Sequence, residues 1–230
     1  MRLALIGKNI SHSKSKIVYE ELLNKKIEYN LVDCKLESDI PSAKDLFLKY
    51  DGVSITSPYK KHFVDSAPVL IDKAFACLGA VNCLRSVNGK IEGINTDYLA
   101  VKEIISDLIL KFGQLDVVIL GNGIMSNITK MCLANLGVPI QVFYRGKHGD
   151  ISTLDLSDKI FLSKERTPIV INCCSRDFVF RGKLPKNSIF WDHNYDMNSH
   201  ALLVKQAIFY LDGMSLLKKQ ALHALSFWGF

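Results

Sequence analysis

The chain lacks a CxxC pair. Its six cysteines, Cys34, Cys77, Cys83, Cys132, Cys173 and Cys174, have no partner histidines at zinc-ligand spacing. That excludes a zinc-stapled module, and the cysteines read as small buried residues of a reducing cytosol. No apolar run approaches the ~18 residues of a membrane-spanning helix. The start, MRLALIGKNISHSKSK, has too short an apolar stretch for a signal peptide. A cytoplasmic protein with no membrane partner is expected. Basic clusters are also missing: 29 Lys and Arg against 23 Asp and Glu leave +6, which favours anionic partners, but the cations are scattered along the chain. Nucleic acid is not an expected partner. There is no internal repeat and no low-complexity linker.

What is present is a globular composition, 48% hydrophobic and 23% charged over 230 residues, enough for one large domain or two small ones. A chain of this length buries roughly 70 to 75% of its unfolded surface and needs no disulfide or metal to hold a core. Arg2 to Gly7 reads as a strand. Lys14 to Asn24 reads as a helix with Ile17, Val18, Leu22 and Leu23 on its apolar face. A strand from Ile27 to Asp33, a helix from Asp39 to Tyr50 with Pro41 in its first turn, and a strand from Gly52 to Thr56 follow. This alternation predicts an open α/β sheet with parallel pairs.

Asn88-Gly89 lies between two apolar stretches and predicts a tight hairpin within Val81 to Asp97. Thr96 is placed to cap a helix from Asp97 to Phe112, with Val101, Ile104, Ile105, Leu108 and Phe112 on one face and Gly113 as its stop. Leu115 to Leu120 is a continuous apolar run of the kind that forms a buried parallel strand, followed by a glycine turn and a helix ended by Gly137. Further strands are expected at Ile140 to Tyr144, Pro168 to Asn172 and Ser188 to Asp192. Between Arg145 and Thr167 the crossover should be short or irregular. Ser199 to Leu211 and Met214 to Phe227 read as the last two helices.

Candidate chemistry begins at Gly121-Asn122-Gly123, where a buried strand meets a helix and backbone amides can hold a pyrophosphate. Ser126 is the small residue at the third position of that fingerprint. The next strand ends in Tyr144-Arg145-Gly146-Lys147-His148 with no carboxylate for a ribose 2′-hydroxyl. Arg145, with Lys147 second, therefore points to a 2′-phosphate and NADP. In the first region, Ser11, His12, Ser13 and Ser15 crowd the loop after the first strand, where hydroxyls can receive a carboxylate or simply cap a helix. Gly52 to Lys60 ends a strand with hydroxyls and a lysine in a Pro-containing turn, for which a surface lysine is the ordinary explanation. The six histidines show no metal spacing, so no metal is predicted. His12 is expected to brace its loop, Cys173-Cys174 to pack, and Trp191 and Trp228 to serve core or interdomain packing.

The succession GxxIxHSxS, GVSITxPYK, GAVN, GxNTD, a glycine-rich nucleotide turn, INxxS, DxxY and DGxxxLxxQA resembles the shikimate dehydrogenase family over nearly the whole chain. The resemblance implies a two-domain α/β fold: a substrate-binding domain of residues 1–97 with 212–230, and a Rossmann-like NADP domain of residues 98–211, with the active site in the cleft. It implies NADP-dependent interconversion of shikimate and 3-dehydroshikimate by a monomer or homodimer acting on a small-molecule substrate. Lys60 and Asp97 fall on the catalytic positions. Ser13, Ser15, Thr56, Asn82, Tyr195 and Gln220 join them as substrate contacts, and Gly121, Asn122, Gly123, Ser126, Arg145, Lys147 and Gly213 as cofactor contacts. Two alternatives stand beside this reading: an NAD-using quinate/shikimate dehydrogenase, and a catalytically weakened member that binds a ligand or partner.

The chain departs from the family pattern at several places. Asn9 and Lys16 stand at customary prolines, and Ser54 at an asparagine. Cys83 and Cys174 replace threonines. Ile124 replaces the second glycine of GxGG and is expected to bring a β-branched side chain toward the pyrophosphate turn. Asp177 replaces a glycine and is expected to set a negative charge near the nicotinamide end.

Overall fold

A computed structural model describes residues 1–66, 68–157, 165–195 and 200–230. The chain divides into two compact units, Met1–Leu99 with Leu217–Phe230, and Ala100–Leu216.

The first unit is built on β1 (Arg2–Gly7), α1 (Ser15–Leu23), β2 (Glu28–Asp33), α2 (Ala43–Lys49), β3 (Gly52–Ile55), β4 (Val69–Ile71), α3 (Lys73–Ala76), β5 (Cys83–Val87) and β6 (Lys90–Ile94). Its sheet runs β2-β1-β3-β5-β6-β4. Strand β1 pairs in parallel with both β2 and β3, so the chain leaves β1 toward one side and returns on the other. The carboxyl ends of these three strands therefore share one edge, the switch point at which open α/β sheets bind ligands. Leu3, Ala4, Leu5 and Ile6 are all buried, as a strand covered on both faces requires. Strands β5 and β6 form the expected antiparallel hairpin. Asn88 (φ 51°) and Gly89 (φ 75°) supply the two positive φ angles of its turn.

Helix α1 turns a different face inward from the one its periodicity predicts. Val18 and Tyr19 are buried, while Ile17 is 57% exposed and Leu22 is exposed. The Tyr19 ring lies 5.7 Å from that of Tyr29 and 5.5 Å from that of Trp228, and this aromatic cluster outweighs the area Leu22 would bury. Helix α2 starts later than expected. A 3-10 turn at Glu37–Asp39 ends at Ile40, and the helix proper begins after Ser42, whose hydroxyl accepts the Asp45 amide proton at 3.2 Å. Pro41 thus precedes the helix and does not sit in its first turn.

The second unit holds most of α4 (Thr96–Phe112), then β7 (Leu115–Leu120), α5 (Ile124–Asn135), β8 (Ile140–Phe143), α6 (Arg145–His148), β9 (Thr167–Asn172), β10 (Ile189–Asp192), α7 (Ala201–Gln206), β11 (Phe209–Leu211) and part of α8 (Gly213–Trp228). Its sheet, β11-β10-β9-β7-β8, is parallel throughout, and every residue of β7 is buried. The apolar face of α4 is buried at Val101, Ile104, Ile105 and Leu108. Its cap is Asn95, not Thr96: the Asn95 Oδ1 accepts the Tyr98 amide proton at 2.9 Å. One expected helix is divided, since Phe209–Leu211 is an edge strand paired with β10. Its tyrosine and phenylalanine suit a half-buried pleated surface better than a fourth helical turn. Ser199, the expected first residue of that helix, lies outside the described residues.

Helix α8 ends against the first sheet. The Trp228 indole N–H donates to the Leu84 carbonyl at 2.8 Å, and a Cβ on Gly52 would meet the indole at 2.6 Å. Gly52→Ala should therefore overpack this seat and lower stability by about 1–3 kcal/mol. Urea unfolding measures it, and an unchanged midpoint would show that the indole is not seated there.

Candidate functional sites in the two units

In the first unit, the switch-point edge gathers the residues singled out in the sequence. Gly7 ends β1 where a Cβ would lie 2.5 Å from the side chains of both Ile10 and Thr56, so only glycine lets the loop after β1 close onto the end of β3. The Ser13 hydroxyl donates to that of Ser15 at 3.1 Å and also accepts the Ser15 amide proton at 3.3 Å. These contacts hold two half-buried hydroxyls together at the start of α1. His12 beside them is exposed, so the expected brace is supplied by Asp33 instead, whose carboxylate accepts the amides of Asn9 (2.8 Å) and Ile10 (3.4 Å).

Lys60 follows the turn that leaves β3. The Thr56 carbonyl accepts from the Tyr59 amide at 3.0 Å, the Tyr59 hydroxyl donates to the Cys34 carbonyl at 2.8 Å, and the Lys60 carbonyl accepts from the Val81 amide at 2.7 Å. The backbone is thereby fixed on both sides of the lysine. Lys60 is 6% exposed and its Nζ donates to Asp97 Oδ2 at 2.7 Å; Asp97 is 2% exposed. Asp97 lies in the first turn of α4, where the positive helix end favours a carboxylate. Its other oxygen accepts from the Gln220 Nε2 of α8. Asn82 holds the same helix end: its Oδ1 accepts the Thr96 amide proton at 2.7 Å, and its Nδ2 donates to Thr96 Oγ1 at 3.0 Å. Thr96 and Asn95 were not singled out for this positioning, although both lie within the NTD run that was.

Lys60, Asp97 and Gln220 are thus in direct contact, with Asn82 one residue removed through Thr96. Tyr195 belongs to the second unit, where the Arg176 guanidinium stands 5.3 Å from its ring. A buried ammonium held against a carboxylate is a positioned proton donor that also stabilises negative charge developing on an oxygen nearby.

In the second unit, β7 is flanked by β8 and β9, so its carboxyl end is again a switch point. A cavity of about 480 Å³ opens there, lined by Gly121, Asn122, Gly123, Tyr144 and Arg145. Ile151, Ser152, Cys173, Cys174, Ser175, Asp177, Phe178, Val179 and Arg181 complete its wall. The glycines have different reasons to be glycine. Gly121 has φ 104°, and a Cβ on it would come within 3.1 Å of the Cys173 backbone; a Cβ on Gly123 would project into open space at the start of α5. The open position leaves backbone amides of the helix end approachable by an anion. Burial pushes the Cys174 thiol up to about 11 and outweighs the opposing effect of the Arg145 charge, so the wall is neutral there at ordinary pH.

Ser126 is fully buried in the first turn of α5, in keeping with a small residue for helix-sheet packing. Lys147 is exposed, and neither residue belongs to the cavity wall. Gly213 is also off the wall; a Cβ there would meet the His193 carbonyl oxygen at 2.5 Å, which accounts for the glycine by packing. Ile124 does not line the cavity, contrary to expectation, whereas Asp177 does. Ser152 and Arg181 line it without having been singled out. The donor set fits an anionic dinucleotide: approachable amides at a helix end, hydroxyls, and two guanidinium groups.

The buried ion pair sets the first unit's stability. Asp97→Ala removes the carboxylate facing the buried ammonium and should cost about 3–5 kcal/mol. Glu37→Ala, which breaks an exposed pair with His62 (3.0 Å), should cost less than about 1 kcal/mol. Equal losses in chemical denaturation would remove the pair from that position.

The chain is similar to known proteins. The pattern of the shikimate dehydrogenase substrate binding domain matches residues 5–84. The NADP(+) shikimate dehydrogenase of Methylobacillus flagellatus is 26% identical over 253 residues, covering 99% of this chain and 93% of that protein. That of Methanococcus vannielii is 32% identical over 127 residues, 53% of this chain and 44% of that protein. Among solved structures, shikimate dehydrogenase from Aquifex aeolicus superposes with a TM-score of 0.74 at 20% identity, covering 100% of this chain and 92% of that one. The Thermus thermophilus protein in complex with NADP(H) and shikimate gives 0.72 at 19% identity, covering 100% and 93%. The match to the substrate-binding domain covers residues 5–84, and a relative aligned over nearly the whole chain is 26% identical, so the chain is similar to shikimate dehydrogenases and shares their two-domain α/β fold.

Proposed function

We propose that the chain is an NADP-dependent shikimate dehydrogenase that interconverts shikimate and 3-dehydroshikimate in aromatic amino-acid biosynthesis. The observation that carries the proposal is the buried contact of Lys60 with Asp97 at 2.7 Å, with Gln220 on the second carboxylate oxygen. In this reading residues 1–97 with 212–230 bind the substrate and residues 98–211 bind the cofactor. The six cysteines stand as thiols, which fits work in the cytoplasm.

The paired hydroxyls of Ser13 and Ser15 receive the substrate carboxylate, and Thr56, Asn82, Tyr195 and Gln220 contact its ring hydroxyls. Lys60 stands at the reacting oxygen. When the ketone is reduced, that oxygen gains negative charge; the Lys60 ammonium stabilises it and delivers a proton, and in the reverse direction the amine takes the proton back. Asp97 orients the lysine through their 2.7 Å contact and accepts a substrate hydroxyl. Gly121, Asn122 and Gly123 hold the pyrophosphate at the α5 end, and Arg145 reads the 2′-phosphate. Bound NADP(H) supplies the hydride chemistry.

Initial rates with shikimate, run with NADP and NAD side by side, test this reading. Turnover should favour NADP, and Lys60→Ala should lower kcat by about 10²- to 10⁴-fold with a much smaller change in KM. Full activity in that variant would remove the lysine from the mechanism, and equal rates with NAD would overturn the cofactor. Substrate binding without turnover by either cofactor would instead favour the weakened, ligand-binding reading. Arg145→Ala should raise KM for NADP by about tenfold or more while leaving NAD nearly unchanged.

A further inference from the structure

The nucleotide cavity has a second cation that the glycine-turn motif does not include. Arg181 lines the wall together with Arg145 and Ser152, although 36 residues separate the two arginines in sequence. Its backbone is fixed by a short ladder. The Arg181 amide donates to the Ser152 carbonyl at 2.7 Å, the Lys183 amide to Leu154 at 3.1 Å, and the Leu156 amide to Lys183 at 3.0 Å. Gly182 permits the approach, since a Cβ there would lie 2.0 Å from the Leu154 oxygen. Arg181 is therefore presented from a held segment and not from a free loop.

Both guanidinium groups line the same cavity, and the charge of each reaches Asp150. The carboxyl of Asp150 lies below the usual carboxylate range, first through its hydrogen bonds with Ser152 and then through the charges of Arg181 and Arg145. Yet among the described residues neither arginine has a carboxylate within ion-pair distance. The one acidic residue of the wall, Asp177, also lines a second cavity of about 160 Å³ with Asp192, Asn194 and His200, a cavity neither Arg145 nor Arg181 reaches. The wall of the main cavity thus carries two guanidinium groups and one carboxylate, that of Asp177. Two guanidinium forks on the wall of one cavity match a dianionic phosphomonoester, whose three terminal oxygens can accept from both.

We propose that Arg181 is a second phosphate-reading residue, acting with Arg145 on the 2′-phosphate of NADP. Ser152 adds a hydroxyl to the same wall. The assignment rests on the NADP reading above and sharpens it: discrimination between NADP and NAD belongs to a pair of arginines from two separate segments.

Equilibrium binding of 2′,5′-ADP and of 5′-AMP, measured calorimetrically without substrate or turnover, separates the possibilities. The unaltered protein should prefer 2′,5′-ADP. Arg181→Ala should weaken 2′,5′-ADP by about tenfold or more and 5′-AMP by less than about twofold. Arg181→Gln, which keeps the stem and removes the charge, should lose the same preference with an unchanged thermal midpoint. Undiminished preference in both variants, or equal losses for the two ligands, would overturn the role of Arg181 while leaving the NADP reading in place. No preference in the unaltered protein would overturn both.

Discussion

The structure of the first unit turns on one requirement: a lysine ammonium and an aspartate carboxylate are taken out of water together. Removing either charge from solvent is expensive, and the attraction between them offsets that only when the geometry is close and the remaining oxygen is satisfied. Three parts of the chain meet to satisfy it. The turn after β3 delivers Lys60, the Asn82–Thr96 contact fixes the α4 end that carries Asp97, and α8 brings Gln220 from the end of the chain. The seat of Trp228 on Gly52 and Leu84 then explains why α8 stays where Gln220 is needed. A polar contact at the centre is held by an apolar one two turns away.

Both sheets use the same device to expose chemistry. A buried parallel strand with neighbours on both sides must send its following loop outward at the point where the connections diverge. In the first unit that loop carries Ser13 and Ser15, and in the second it carries Gly121 to Gly123. The glycines divide the physical work. Gly7 and Gly121 admit close approach of neighbouring segments, while Gly123 leaves space at the helix end. Counting glycines in a motif hides this difference, because one role is internal packing and the other concerns what can approach from outside.

Much of the fold was legible where a signal is local. The apolar run of β7 and the Asn88-Gly89 hairpin are set by neighbours in sequence; β7 formed at its expected bounds and the hairpin within its expected segment. The failures lie where distant partners decide. Tyr19 displaced Leu22 from the buried face of α1 because Tyr29 and Trp228 wait for it. Phe209–Leu211 became a strand because β10 offered an edge. The cap of α4 moved from Thr96 to Asn95 because Asn82 had already engaged both the Thr96 amide and hydroxyl.

The candidate sites divide along the same line. Lys60 and Asp97 could be matched to motif positions, yet their 2.7 Å contact depends on a pairing across 37 residues that spacing alone does not express. The place of Arg145 on the cavity wall was legible because it follows closely on the strand after the glycine turn. Arg181 was not, because nothing local marks it. Its position follows from backbone hydrogen bonds between the segments around Ser152 and Lys183, and from a glycine between the two arms of that ladder. Charge placed by non-local backbone pairing leaves no periodicity and no motif. A cavity wall can therefore carry charged residues that a motif-based reading passes over, even when the same motif leads to the cavity.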